Sequence, residues 1–482
     1  MQEFYFARDG FLHQHIKRRG KGTPFATYKA PDGTPIEVWL TAEDLRNHGL
    51  VVGATGTGKS TMLEKLAEAH MARRDGLIVL DPHGDLFTRL AALAIDGKAR
   101  DLILVDLSKP ETLPSFNVLE SLPGVETNRQ VDMVLGILKR LYSDEEAKSW
   151  AYGVKTAEIL RWVLRALIES KAAASLVEIP SFLMIDHIRL RYLETVSEET
   201  ASYFNDRFGA REEMYVSSVV NKLQPFLGSM AVQRFLGSAH SSLHLFDLVD
   251  RGGTLLVNLA QGYLGPMTSN TISRFIVNAL QLAALRREQQ APEERVPMSI
   301  IIDEAQNLAG RDSGLADLLQ SGRKFSVYTT LAVQELGLFP IGFRNHVLAN
   351  TGRQFFFRLP FSEAQGLARD IFEPQGTLFR QPVRPYDPLD DPMLTPREEI
   401  AARTADLSNL PRGVCYWFSK AKRYKARRIT IHPPRKLPYP PGELARKARE
   451  VMEARQDAAS EPPSNIRPLQ VSAATSITHS TE

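Results

Sequence analysis

Asn47–Thr61 reads NHGLVVGATGTGKST, and this stretch decides the fold. The apolar run GLVV leads into Gly53–Ser60, which spells Gly-x-x-x-x-Gly-Lys-Ser, and the chain continues as TMLEKLAEAHMA with helical periodicity. A strand, a glycine loop and a helix in this order make a phosphate cradle, whereas the bare pattern without its flanks is only a glycine turn. Gly53, Gly56 and Gly58 let the backbone curl until successive N–H groups face phosphate oxygens, and a helix starting near Lys59 adds its positive end. Ala54, Thr55, Thr57 and Thr61 count as nucleotide-binding positions with them. Lys59 is placed to reach the β- and γ-phosphates and Ser60 to ligate Mg²⁺, so ATP and Mg²⁺ are the expected cofactors.

Six further runs rich in Val, Ile and Leu follow the pattern of Leu50–Gly53: Leu77–Asp81, Leu102–Asp106, Thr254–Leu259, Ser299–Asp303, Ser326–Ala332 and Gln354–Leu359. Such runs, alternating with helical patterns, predict a parallel α/β sheet whose ligand lies at the carboxyl ends of the strands. SIIIDE, Ser299–Glu304, ends in adjacent carboxylates. There Asp303 can hold magnesium and Glu304 can orient and deprotonate the attacking water. Gln334, closing the next strand, can sense the γ-phosphate, and Arg323, just before that strand, can project into a neighbouring subunit as an arginine finger. An ordinary strand-end glutamine and a surface Arg–Lys pair are the alternative readings of these two. Guanine recognition is excluded in its usual form, because the only Asn-Lys dipeptide, in Asn221–Gln224, lacks the aspartate it requires. No LSGGQ-like signature occurs either.

The 482 residues allow one to three domains, and 43% apolar with 24% charged residues is ordinary globular usage, which excludes collagen-like and low-complexity classes. A single cysteine, Cys415, cannot form an internal disulfide and indicates a reducing compartment. No transmembrane segment and no secretory signal are expected, which predicts a cytoplasmic protein, with peripheral attachment at the inner membrane as an alternative. The net charge of +3 hides an excess of ten positive charges within residues 419–449. There Lys420, Lys422, Arg423, Lys425, Arg427 and Arg428 flank two β-like runs, Gly413–Phe418 and Tyr424–Ile431, beside Tyr416, Trp417 and Tyr424. This cluster can grip nucleic-acid phosphates and stack bases, or it can simply solvate an edge hairpin.

Taken together, NHGLVVGATGTGKST, GLIVLDPHGDL, SIIIDEAQNL, SGRKFSVYTTLAVQEL and VLANTGRQFFFRLPFSEAQGLA, in this order over about residues 40–432, resemble the HerA/FtsK superfamily. The branch of type IV secretion coupling proteins and HerA-like helicases is the nearest. The resemblance implies a RecA-like P-loop sheet flanked by helices, with an all-α insertion domain and a C-terminal β-hairpin. It also implies that Lys59, Ser60, Asp303, Glu304, Gln334 and Arg323 hold the roles given above. Asp81, in the matching DPHGD, is expected at the site as an organiser of the arginine or the metal shell, with His83 a weaker candidate beside it. The expected domains are a small β-rich N-terminal segment (1–47), the ATPase domain (48–125 and 249–432) and a helical insertion (126–248). A C-terminal tail (433–482), disordered from about residue 457, completes the chain. The expected activity is ATP-driven DNA translocation by a homo-hexameric ring, in conjugative transfer or DNA processing, with DNA and a membrane-bound secretion partner or a separate nuclease as partners. A secretion ATPase moving protein, or an ATP-gated adaptor, stands as the alternative.

Overall fold

The computed structural model describes residues 5–6, 22–30, 33–121, 125–139, 150–309, 314–372, 378–379, 395–419 and 424–459. Its centre is one eleven-stranded sheet. In chain order the strands are β1 (Gly22–Lys29), β2 (Pro35–Thr41), β3 (Gly49–Val52), β4 (Gly76–Asp81), β5 (Leu102–Asp106) and β6 (Thr254–Asn258). They continue with β7 (Met298–Ile302), β8 (Val327–Val333), β9 (Arg353–Phe356), β10 (Val414–Ser419) and β11 (Tyr424–Ile431). The spatial order is β2-β1-β11-β10-β9-β3-β8-β7-β4-β6-β5. From β9 to β5 every pairing is parallel, and from β9 outward to β2 every pairing is antiparallel. The seven parallel strands are the seven apolar runs. A separate pair, Tyr5–Phe6 with Leu378–Phe379, lies outside the sheet.

The parallel strands are apolar throughout because both faces are covered. Leu50, Val52, Ile78, Leu80, Ile300 and Ile302 point into one core. Val51, Leu77, Val79 and Ile301 point into the other. The second core is closed by α1 (Lys59–Arg73), α2 (Asp85–Asp96) and, at the far C-terminus, α11 (Pro441–Ala459). Leu444, Ala448 and Met452, spaced four apart, form the buried stripe of α11. Glu64 of α1, itself buried, accepts from Arg89 Nε of α2 at 2.5 Å and from the Arg435 backbone N–H at 3.2 Å, tying the segment before α11 to both helices. The stretch from 433 to 459 is thus an ordered layer on the sheet, with the helix running past the boundary expected near residue 457.

The other face carries α3 (Thr127–Lys139), α4 (Trp150–Glu169), α5 (Ala210–Leu227) and α6 (Pro266–Arg286), with α7 (Leu315–Ser321), α8 (Ile341–Asn350), α9 (Phe361–Ile371) and α10 (Pro396–Ser408) around them. Between 126 and 248 the described residues contain helices and no strand. Leu135, Leu138, Leu160, Leu164 and Phe182 of this block belong to the same apolar cluster as Leu50, Ile78 and Ile300 of the sheet.

Two sheet neighbours differ from expectation. The segment before residue 47 is not a separate unit, because β1 and β2 extend the main sheet, with Ala26–Tyr28 paired to Ile429–Ile431. The β10–β11 hairpin is accordingly not a sheet edge, since β10 joins β9 on one side and β11 is covered by β1. Lys420, Lys422 and Arg423 lie outside the described residues. Of the other basic groups, Arg428 pairs with Asp406, Arg435 with Asp96, Arg446 with Glu450 and Lys447 with Glu443, so carboxylates neutralise part of the local charge. No described helix is long and apolar enough to cross a membrane.

Candidate nucleotide site

The glycine loop follows β3 and is held on three sides. Gly53 N–H donates to Val333 O of β8 (3.2 Å), Ala54 N–H to Arg358 O beyond β9 (3.1 Å), and Thr57 O accepts from Gly413 N–H at the start of β10 (2.8 Å). Thr57 Oγ1 closes the loop internally by donating to Ala54 O at 2.7 Å. Two positions admit only glycine. A Cβ at Gly53 falls 2.5 Å from Phe357 Cβ, and Gly58 has φ +121° with Phe357 Cε1 and Gly413 Cα 3.1 and 3.2 Å from where its Cβ would sit. Thr55, Gly56 and Ser60 are exposed at the crest, Thr61 is half-buried, and α1 begins at Lys59. Lys59 is buried, and its Nζ donates to Gly53 O at 2.5 Å. Burial pulls its pKa down, while Glu304 and Asp303 push the other way.

β8 and β7 lie in sequence beside β3, so their tips bring Gln334, Asp303 and Glu304 next to the loop. The Glu304 carboxylate is clamped: Gln334 Nε2 donates to Oε1 at 3.1 Å and to Oε2 at 3.2 Å, and Gln306 Nε2 donates to Oε2. Glu304 itself is in the left-handed region, φ +49°, a conformation that costs a non-glycine residue about 1–2 kcal/mol and aims the side chain out of the strand line. Gln306 was not singled out by the sequence reading. It lies two residues beyond Glu304 on the turn Ala305–Leu308, and its Oε1 is buried without a partner among the described residues.

Burial, then the neighbouring Glu304 and Asp81, raise the Asp303 carboxyl from 3.8 to about 6. An acid raised in this way binds its proton in the native state and not in the unfolded chain across the window from 3.8 to about 6. Stability is therefore lost as pH rises through that window. In magnesium-free buffer, Asp303→Asn is expected to unfold at higher urea at pH 7.5 than the parent, a gain of about 3 kcal/mol, and the gap should close towards pH 4. A pH-independent difference would show that the stability of Asp303 is not set by its charge.

Asp81, at the tip of β4, has both carboxylate oxygens occupied by backbone: Oδ1 accepts from His83 N–H (2.9 Å) and Oδ2 from Phe87 N–H (2.8 Å). It shapes the start of α2 and adds negative charge beside Asp303 without facing the loop as a free group. His83 is exposed.

Arg323 is not with the others. It sits exposed on the turn Gly322–Phe325 ahead of β8, at the amino ends of the strands, and the seven residues of β8 separate that edge from Gln334 by about 20 Å. It lines a cleft of about 440 Å³ with Arg46, Gln320, Lys324, Tyr328 and Asn350. Beneath the turn, buried His48 accepts the Thr329 N–H through Nδ1 at 2.9 Å. Burial and the Arg323 charge hold its pKa at about 3, so the ring is neutral.

A parallel sheet with a glycine loop at its centre, a carboxylate pair two strands away and a glutamine on the strand between defines a P-loop nucleotide-binding fold. Comparison with known proteins places it more narrowly. The family model for the central domain of helicase HerA matches residues 28–206. The structure of the plasmid coupling protein TrwB in complex with ADP and Mg²⁺ superposes with a TM-score of 0.60 over 91% of this chain and 96% of that one, at 18% identity. VirB4 of Thermoanaerobacter pseudethanolicus gives 0.51 over 89% and 99%, at 14% identity. The type 4 coupling protein DotL of Legionella pneumophila is 32% identical over 76 residues, 15% of this chain, and the match spans only 10% of DotL. The chain is therefore similar to the central domain of helicase HerA over residues 28–206 and has the fold of the coupling protein TrwB.

Proposed function

We propose that this chain is an ATP-hydrolysing motor that moves DNA, working as a ring, a homo-hexamer, in which each active site is completed by the next subunit. The observation that carries the reading is the Glu304 carboxylate, held by Gln334 and Gln306 beside buried Lys59 at the mouth of the glycine loop. In this mechanism the loop amides and Lys59 hold the triphosphate, and Glu304 takes the proton of the attacking water. Gln334 links the state of the γ-phosphate to the position of that base. Ser60 and Asp303 offer oxygen donors of the kind Mg²⁺ prefers, and the ion would supply charge neutralisation on the phosphates. The placement of Arg323 at the opposite sheet edge supports a role in trans.

DNA as the cargo rests on the likeness to coupling proteins and to the HerA central domain. The experiment is ATP turnover measured with and without single- and double-stranded DNA. Stimulation by DNA is expected. Steady basal turnover indifferent to both forms would favour a secretion ATPase that moves protein, and nucleotide binding without turnover would favour a switching adaptor.

A further inference from the structure

The site described above accounts for the phosphates and leaves the nucleoside end of the ligand unassigned. Asp303, Glu304 and Gln334 all lie on the β8–β7 side of β3, so a triphosphate in the loop presents its γ-phosphate to that side. Its nucleoside end must then lie towards β9 and β10. This step rests on the P-loop reading of the site.

On that side the loop is tied to two arginine-bearing segments. Ala54 donates to the carbonyl of Arg358 itself, and Thr57 O accepts from Gly413, the residue after Arg412. Both arginines are therefore anchored within one residue of the cradle. Both are exposed, and among the described residues neither guanidinium has an ion-pair or hydrogen-bond partner. The surroundings are poor in groups that could read a base edge. Pro360, Phe361 and Pro411 offer no polar side-chain atoms, and Phe361 is 61% exposed. The nearby polar side chains are partly engaged with backbone: Ser408 Oγ donates to Thr404 O, Asn409 Nδ2 donates to Ala405 O, and Glu363 accepts the Leu336 N–H through Oε1, while its Oε2 is buried. Planar cations and an aromatic ring bind bases by their faces, a contact every base offers and purines offer most of.

We propose that Arg358 and Arg412 form the nucleoside subsite of this P-loop, stacking on a purine base without reading its hydrogen-bonding edge. The site then accepts ATP and GTP alike and discriminates against pyrimidine nucleotides.

The test is calorimetric binding of ATP, GTP, UTP and inorganic tripolyphosphate, with Mg²⁺, to the full chain and to Arg358→Ala, Arg412→Ala and Arg412→Lys. The parent is expected to bind ATP and GTP within about threefold of each other and UTP about tenfold more weakly. Each alanine variant should lose about tenfold for ATP and GTP while tripolyphosphate binding stays within about twofold. Arg412→Lys should resemble Arg412→Ala, since lysine keeps the charge and loses the plane. Equal losses for ATP and tripolyphosphate, unchanged ATP binding in both alanine variants, or a strong preference between ATP and GTP would each overturn the subsite. A parent that binds neither ATP nor tripolyphosphate would instead overturn the P-loop reading on which the subsite depends.

Discussion

Glu304→Gln is expected to slow ATP hydrolysis by about a thousandfold while ATP binding stays near that of the parent, because the change removes only the proposed proton acceptor. Lys59 and the loop amides, proposed to hold the phosphates, are untouched by this change. The clamp adds a second signature. In the parent, two amide donors converge on one carboxylate, and in the variant they meet a side-chain amide that can accept only through its single oxygen. Gln334 should then lose its fixed position, so nucleotide-dependent changes at the tip of β8 should be blunted as well as turnover. Single-turnover hydrolysis measured beside equilibrium ATP binding separates these effects. A Glu304→Gln protein that turns over ATP at near the parent rate would remove Glu304 from the role of base.

Arg323→Ala is expected to reduce turnover by about a thousandfold as well, provided the residue completes a neighbour's site, which is the magnitude arginine fingers supply. The distance along β8 makes its own loop an impossible target. Activity of the parent should therefore rise more steeply than in proportion to protein concentration through the range where rings assemble. Mixing Arg323→Ala with Glu304→Gln protein should restore part of the activity, since some interfaces pair an intact arginine with an intact base. Lys324, alongside it, is exposed and paired with Glu288 at 3.2 Å, so Lys324→Ala serves as the control with a much smaller effect. Normal turnover in Arg323→Ala, or parent activity strictly proportional to concentration in monomeric samples, would remove the shared site.

The parallel half of this fold was legible because burial on both faces leaves an unbroken apolar run. Ser299–Asp303 and Leu77–Asp81 announce themselves without any knowledge of their partners. The antiparallel half was not legible in the same way. Gly22–Lys29 reads GTPFATYK, with few fully buried positions, and its partner β11 lies about 400 residues away, a pairing no local pattern encodes. Strand order was equally hidden: β7 sits between β8 and β4 because of packing, although β4 precedes it by more than two hundred residues. The α11 helix did carry a signal, the spacing of Leu444, Ala448 and Met452, but its charge-rich surface masks it within a basic segment. At the site, Lys59, Asp303, Glu304 and Gln334 stand at strand tips or on the loop, where position along the chain fixes position in space. Gln306 depends on the backbone turn at Glu304, φ +49°, which sequence does not display.

The apolar layer shared by the helical block and the sheet limits how this architecture can be recombined. Leu135, Leu138, Leu160 and Leu164 are contributed by the block and are continuous, through one buried cluster, with Leu50, Ile78 and Ile300 of strands β3, β4 and β7. A chimera that exchanges residues 126–248 for the equivalent region of a relative is therefore expected to disturb a core shared with the sheet unless those leucine positions travel with their counterparts. The outward surface of these helices can therefore change far more readily than the whole block can be exchanged.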